Sequence, residues 1–505
     1  MSDISADTAA TPGLDSSGTG AARAAGGAAP PIVVDLDGTL TPTDTLVESV
    51  LLAIKHRPAT LLRLPLWLLQ GRATFKARIA ECASSHISGD AWPYRADLLA
   101  YLTEERAHGR SIVLATAAHR SIAEPVAAHL GIFDAVLATD ATRNLKGSAK
   151  LAAIREQIGT EFVYAGDSAA DLPIWQAAAG AILVDVPEGV ARTVRAGGVP
   201  VVREFRRPDT GPREWLRAFR VHQWLKNLLI FVPLLTAFAF TDPHAIAVAL
   251  AAFVSFSLAA SATYIGNDLW DLQSDRRHPR KRNRPFASGS LAIPAGVAAA
   301  AALMLVSLAI ALALPRAFLA LLVAYVALTS VYSWMLKSYV MIDVLMLALL
   351  YTLRIVAGGA ANGIKVSLWL LGFSVFIFLS LALIKRCAEL VSMGQAGIES
   401  SKGRDYRVSD LVILWPLGTG AGLCAVVVFA LFASAPEVAA RYATPALLWL
   451  VAVGLIYWLA RLWIKTARGE MDDDPVIYAI RDRGSRISIA AMLVTVLAAR
   501  FVHIG

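Results

Sequence analysis

The chain has 505 residues, of which 56% are hydrophobic and 17% charged, with a formal net charge of +8 at pH 7. A mean hydropathy of +0.56 excludes an ordinary soluble protein. The positive charge is gathered in short loops beside apolar stretches, which points to membrane topology and away from a nucleic-acid partner.

Residues 1–30 are rich in Ala, Gly, Ser and Thr and are expected to form a disordered tail. No basic segment leads into an apolar one there, so no signal peptide is expected. Residues 31–205 read as a soluble α/β domain, 206–224 as a linker or interfacial segment, and 225–505 as a polytopic helical membrane domain. Nine spans are expected, near 226–241, 245–266, 292–314, 317–336, 340–361, 367–385, 411–434, 444–464 and 486–504. When the connecting segments are sorted by alternating side, one side collects the cations of 213–226, 276–284, 337, 385–407 and 461–486. The other receives only Arg316, Lys365 and Arg441. The basic side is expected to be cytoplasmic, which places the soluble domain inside and the C-terminus outside. Cys82, Cys387 and Cys424 share no metal-ligand spacing and are expected to be reduced and structural.

The stretch "PIVVDLDGTLTPTD" (31–44) begins as a short buried strand and breaks at Gly38. Asp35 and Asp37 sit at the strand's C-terminal end, where open α/β sheets place their ligands. One carboxylate there can attack phosphorus while the other protonates the leaving oxygen. "SIVLATAA" (111–118) ends near Thr116, and "FVYAGDSAAD" (162–171) ends at Asp167 with Asp171 beyond it. Between them "NLKGSAK" (144–150) opens a helix with two candidate lysines, Lys146 and Lys150. Such a set can hold Mg²⁺ and a phosphoryl group.

These four motifs, in order over 140 residues, resemble the haloacid dehalogenase (HAD) phosphatase superfamily. The resemblance implies a Rossmann-like α/β fold with a helical cap, here 41–110. Asp35 would be the nucleophile that forms an aspartyl-phosphate, and Asp37 the general acid/base. Thr116 and Lys150 would hold phosphoryl oxygens, and one Mg²⁺ would sit among Asp35, Asp37, Asp167 and Asp171. Within the cap, "LLRLPLWLLQGR" (61–72) is unusually apolar and basic-flanked. It reads either as a buried cap core or as a membrane-surface helix.

"NDLWDLQSDRRHPRKRNRP" (267–285) lies between two membrane-length segments. Steps of three and four put Asp268, Asp271 and Asp275 on one helix face, where they repel unless cations sit among them. Mg²⁺ carrying substrate phosphates is a natural neutraliser, and Arg276, Lys281 and Arg284 can contact the remaining phosphate oxygens. A solvated basic loop would explain the arginines but not the spaced acids.

This stretch resembles the first aspartate-rich motif of the UbiA superfamily of intramembrane transferases, over roughly residues 213–505. Typical members transfer a prenyl group from its diphosphate and carry a second aspartate-rich motif after the sixth span. Here that region, 385–411, offers Glu389, Glu399, Asp405 and Asp410 without a close pair. "FRVHQWLKN" (219–227), "YSWMLKSYVMIDV" (332–344), "LRIVAGG" (353–359) and "IKRCAEL" (384–390) are similar to the decaprenyl-phosphate phosphoribosyltransferase branch. That branch implies 5-phosphoribosyl diphosphate (PRPP) as donor, a polyprenyl phosphate as acceptor, and one or two Mg²⁺ ions.

By this resemblance Asn267, Asp268, Asp271 and Asp275 handle metal and diphosphate, with Asp268 and Asp271 central to catalysis. Lys226, Lys281, Arg284, Tyr332 and Lys337 would bind phosphates. Arg354, inside an apolar span, is expected either near substrate or paired with an internal acid such as Asp343. "MDDDPVIYAIRDRGSR" (471–486) is expected to be a cytoplasmic loop near the site. The fusion suggests sequential steps in the cytoplasmic membrane, with phosphoribosyl transfer followed by removal of the 5-phosphate to give a lipid-linked arabinofuranose precursor. The alternatives are a conventional prenyltransferase with an accessory phosphatase, and a transporter or passive anchor.

Overall fold

A computed structural model of the chain describes residues 29–83, 86–140, 143–206, 211–399, 404–439, 441–471 and 474–503. The expected tail at 1–30 therefore falls almost wholly outside the described residues. In chain order, β1 (Ile32–Val34) is followed by helices α1 (Thr45–His56), α2 (Thr60–Leu69), α3 (Arg72–Ala83) and α4 (Ala96–Ala107). Next come β2 (Ile112–His119), α5 (Arg120–Leu130), β3 (Ala135–Thr139), α6 (Ser148–Gln157), β4 (Val163–Gly166) and α7 (Leu172–Trp175). β5 (Gly180–Val184), α8 (Glu188–Ala196), β6 (Val201–Phe205), α9 (Pro212–Ala218) and α10 (Val232–Thr236) follow. The remainder is helical: α11 (Pro243–Trp270), α12 (Leu272–Arg277), α13 (Ile293–Leu312), α14 (Arg316–Trp334), α15 (Ile342–Asn362) and α16 (Leu368–Gln395). It ends with α17 (Leu411–Ala433), α18 (Pro436–Ala439), α19 (Leu448–Ala467), α20 (Pro475–Arg481) and α21 (Arg483–Phe501).

Two compact units emerge: Ala96–Arg206 with the segment that ends at Leu40, and Thr41–Arg95 with Arg207–Gly505. The first is a six-stranded parallel sheet of order β3-β2-β1-β4-β5-β6. β1, β4 and β5 are buried along their whole length, as strands covered on both faces must be. The strand order reverses between β1 and β4, so the loops leaving these two strands flank the crevice where such sheets bind ligands.

Among the described residues of the second unit, eight helices are long and apolar enough to cross a membrane: Pro243–Trp270, Ile293–Leu312, Arg316–Trp334, Ile342–Asn362, Leu368–Gln395, Val408–Ala433, Pro445–Ala467 and Arg483–Phe501. The protein is a multi-pass membrane protein. The expected first span, 226–241, departs from this pattern. It is a 3₁₀ segment over Val221–Phe231 that passes into the five-residue α10. Pro233 lacks an N–H and crowds the preceding turn, which disfavours a continuous α-helix here. The segment nevertheless runs antiparallel along α11. Trp224 Nε1 donates to Ser261 Oγ at 3.0 Å and Asn227 donates to Ser257 Oγ at 2.9 Å. Further along, the Phe231 and Phe253 rings are 5.8 Å apart, and Leu234 clusters with Ala245 and Ala249. It also lies hard against α15, where a Cβ on Gly358 would come within 1.9 Å of the Ile230 carbonyl oxygen.

The inserted helices pack with the membrane helices. Val47 and Leu51 of α1 join an apolar cluster with Ile265, Leu269, Leu272, Phe286, Ile293, Ala299 and Leu303. Arg276 bridges the same elements with both terminal nitrogens, each 2.7 Å from a Glu48 carboxylate oxygen. The leucines of α2 are not a buried core: Leu62 is 83% and Leu69 85% exposed.

Candidate active sites

In the first unit, β1 and β4 deliver their acids to one point. Oxygens of Asp35, Asp167 and Asp171 lie within 4.8 Å of one another. Gly38 makes this approach possible: its φ is +77° and an added Cβ would fall 2.1 Å from Asp167 Oδ2. Lys150, the third residue of α6, is buried and reaches Asp35 Oδ2 at 2.8 Å. Lys146 is exposed. Thr116 is buried two residues beyond Leu114, the register partner of Val34, and therefore lies beside the strand end that carries Asp35. Asp37 is half-buried, and its carboxylate is not in the group of three.

Tyr164, in the middle of β4, is a further member of this site that no motif marks. Its hydroxyl accepts from Lys150 Nζ at 3.1 Å and donates to Asp171 Oδ1 at 2.8 Å, so it links the lysine to the acid. A lone tyrosine in a fully buried aliphatic strand was the available signal, since its hydroxyl needs a partner. Burial, reinforced by the Asp171 and Asp35 charges, pushes the Asp167 carboxyl up to about 7. Burial also raises Asp35, even against the Lys150 charge. Burial opposes the Lys150 ammonium, but Asp35 and Asp171 outweigh it and hold the lysine charged. Three hard oxygen donors with too little positive charge between them fit Mg²⁺.

The second constellation lies where α11 gives way to α12. Asp268 is buried and paired with Arg220, and it also meets Arg284 at 3.1 Å. The same Arg284 nitrogen is 2.6 Å from Asp275 Oδ2, while Lys337 Nζ is 3.2 Å from Asp271 Oδ2. Acids and cations alternate here, and among the described residues the only three-oxygen group of metal-binding size is the one at Asp35. Asn267 donates to Ser333 Oγ at 3.0 Å. Lys226 pairs with Asp474 and lies 5.7 Å from the centre of the Tyr351 ring, which brings the start of α20 to the segment along α11. Lys281 is exposed and Tyr332 half-buried.

Two expectations about arginines change. Arg276 spends its Nε on the Ala287 carbonyl and its terminal nitrogens on Glu48 and the Ala91 carbonyl, so it faces the inserted helices instead of a phosphate. Arg354 donates to Asn227 at 2.9 Å, to Tyr325 at 3.1 Å and to the Leu350 carbonyl, and Asp343 is not its partner. Asp343 is instead held by Arg386 and by the Tyr406 hydroxyl. In the region that lacks a second aspartate pair, Glu389 is bound by Arg386 and Arg404. Arg220, counted only as a loop cation in the sequence, is thus a further member of the acidic cluster. A separate cavity of about 210 Å³ lies between α1 and the end of α11, walled by Leu51, Leu52, Leu269 and Leu272 with Lys55 and Glu48, and none of the cluster's acids or cations lines it.

A hydrolase-type acid cluster on a parallel sheet, and an acidic motif at the end of a membrane helix, define a membrane enzyme with a transferase and a hydrolase domain. Residues 228–481 match the model of the UbiA prenyltransferase family, and residues 32–176 that of haloacid dehalogenase-like hydrolases. The chain belongs to the UbiA prenyltransferase family and carries an N-terminal HAD domain. It is 40% identical over 461 residues to the "Uncharacterized protein y4nM" of Sinorhizobium fredii, covering 90% of this chain and 88% of that one. It is 34% identical over 215 residues to the decaprenyl-phosphate phosphoribosyltransferase of Mycobacterium tuberculosis, covering 41% and 71%. A solved UbiA homologue from Archaeoglobus fulgidus bound to GPP and Mg²⁺ aligns at 18% identity over 57% of this chain and 100% of that one, with a TM-score of 0.42.

Proposed function

We propose that the membrane domain transfers 5-phosphoribose from PRPP to a polyprenyl phosphate, and that the HAD domain then removes the 5-phosphate. The observation that carries this reading is the interleaving of Asp268, Asp271 and Asp275 with Arg220, Arg284 and Lys337. A donor with a diphosphate and a separate 5-phosphate, meeting a phosphate acceptor, needs such a mixed lining. The acids take Mg²⁺, and the cations take phosphate oxygens the metal leaves free. The similarity to decaprenyl-phosphate phosphoribosyltransferases supports it.

In this reading Asp268, Asp271 and Asp275 hold Mg²⁺-diphosphate, with Asn267, Lys226, Lys281, Arg284, Tyr332 and Lys337 around the phosphates. Arg354 acts from within its span by fixing Asn227, next to Lys226, and Tyr325. The lipid phosphate attacks ribose C1 and diphosphate leaves. In the HAD domain Asp35 attacks phosphorus and Asp37 protonates the leaving ribose oxygen, while Thr116 and Lys150 hold the phosphoryl oxygens; water, giving its proton to Asp37, then cleaves the aspartyl-phosphate and releases inorganic phosphate. Mg²⁺ bound near Asp35, Asp167 and Asp171 would neutralise the charge gathered there.

We place both sites on the cytoplasmic side of the inner membrane and the C-terminus outside. The ninth crossing this requires is supplied by 221–236, whose contacts follow α11 from Ser261 to Ala245. Eleven 3₁₀ residues at about 2 Å each and five α residues at about 1.5 Å reach roughly the 30 Å of a hydrocarbon core.

Purified protein given Mg²⁺, labelled PRPP and a polyprenyl phosphate should form labelled lipid. Label that stays in PRPP, while a prenyl diphosphate and an aromatic acceptor react, would establish conventional prenyl transfer instead.

A further inference from the structure

α2 is ten residues long, TLLRLPLWLL, and only Thr60 is buried. Leu61, Leu62, Leu66, Leu68 and Leu69 are 56–85% exposed, as bare as Leu305 and Leu312 on the outer face of the span α13, at 67% and 72%. Water does not tolerate five clustered leucines, and bilayer hydrocarbon does. Two independent features identify lipid as what covers them.

The first is depth. α1, which leads into α2, packs Val47 and Leu51 in the cluster that includes Ala299, Ala300 and Leu303. Those residues lie roughly 9–15 Å along α13 from its first residue, so α1 already stands at the level where a span enters the bilayer. The second is charge. Between Glu48 and Glu81 there is no acid, whereas Lys55, Arg57, Arg63, Arg72, Lys76 and Arg78 are all basic. A short apolar helix ringed by cations is the pattern of an element that lies in an anionic membrane surface.

We propose that α2 is a monotopic membrane helix, its leucines sunk into the acyl boundary of the leaflet against which α1 is docked and its basic flanks on anionic lipid headgroups. The inserted segment 41–95 then belongs to the membrane-bound part of the enzyme by its own lipid contacts as well as by its packing on α11 and α13. The inference rests on the membrane reading of the spans and is independent of the reaction proposed above.

The test uses the full chain with Cys82, Cys387 and Cys424 replaced by Ala, reconstituted in vesicles of phosphatidylcholine and phosphatidylglycerol. Spin labels are attached at Leu62→Cys or Leu69→Cys, with Leu305→Cys as a lipid-facing reference and Glu81→Cys as an aqueous one. Relaxation by oxygen, which concentrates in lipid, is compared with relaxation by a water-soluble nickel chelate. At 62 and 69 oxygen should dominate, as at 305, with the ratio reversed at 81. Nickel dominance at both leucines would overturn the proposal. So would low access to both reagents that rises on dilution of protein in the vesicles, because a second copy would then cover the helix. The labelled positions all carry exposed side chains, the three Cys→Ala changes are common to every variant, and the signal at 305 verifies that the protein has inserted.

Discussion

Arg276 follows directly after Asp275 of the acidic motif, yet both of its terminal nitrogens grip Glu48, 228 positions earlier, at 2.7 Å. Both side chains are buried, at 6% and 4% exposure. Removing one partner strands a buried charge, at a cost of about 3–5 kcal/mol, while removing both costs less. Glu48→Ala should therefore lower the melting temperature of the detergent-solubilised protein more than Glu48→Ala combined with Arg276→Met. Equal or additive losses would show that the pair is not coupled.

Asp35→Asn removes the proposed nucleophile without changing shape. Hydrolysis by the HAD domain should fall by roughly 10³-fold or more, with transfer from PRPP intact. Mass analysis of the lipid product should then find the 5-phosphate retained. Release of inorganic phosphate from that lipid at the wild-type rate would remove Asp35 from the role.

The Asp167 carboxyl, pushed up to about 7 by burial and its acidic neighbours, gives a pH signature. The unfolded chain loses this proton near 3.8, so between there and 7 the folded metal-free state holds more protons than the unfolded one. From this group, stability of the metal-free protein falls as pH rises through that window. Mg²⁺ competes with the proton, so the rise in melting temperature on adding Mg²⁺ should be larger at pH 8 than at pH 6. A gain that does not vary with pH would contradict the assignment.

Lys337, in the 3₁₀ turn Leu336–Ser338 between α14 and α15, touches Asp271, and its ammonium is one of the cations proposed for phosphate. Loss of a charge-assisted contact of about 1.5–3 kcal/mol predicts that Lys337→Ala lowers kcat/KM for PRPP by about 10- to 100-fold. Hydrolysis of a small soluble phosphate ester by the same protein should be unchanged. A parallel fall in both activities would indicate general damage.

Gly358→Ala places a methyl group against the Ile230 carbonyl, which it would approach to 1.9 Å. The backbone must yield, and overpacking of this kind costs about 1–3 kcal/mol. The variant should yield less folded protein and a lower melting temperature, whereas Gly266→Ala, with nothing within 4 Å of its added Cβ, should not.

Features written in short stretches were legible in the sequence. Apolar length marked the eight long helices, because a bilayer demands about 20 such residues whatever lies beside them. Strand-end placement put Asp35 and Asp167 at one crevice, because parallel strands must all present the same end to it. Hydropathy misjudged the form of 226–241, where Pro233 and the buried Asn227 override a regular helix. Partner choice came only with tertiary structure: Arg220 to Asp268, Lys226 to Asp474, Arg276 to Glu48, and Arg386 rather than Arg354 to Asp343. Lys226 and Asp474 are 248 positions apart. Which buried charge meets which is decided by how whole helices pack, because each one excludes water from its neighbour's ion pair, and no local periodicity records that.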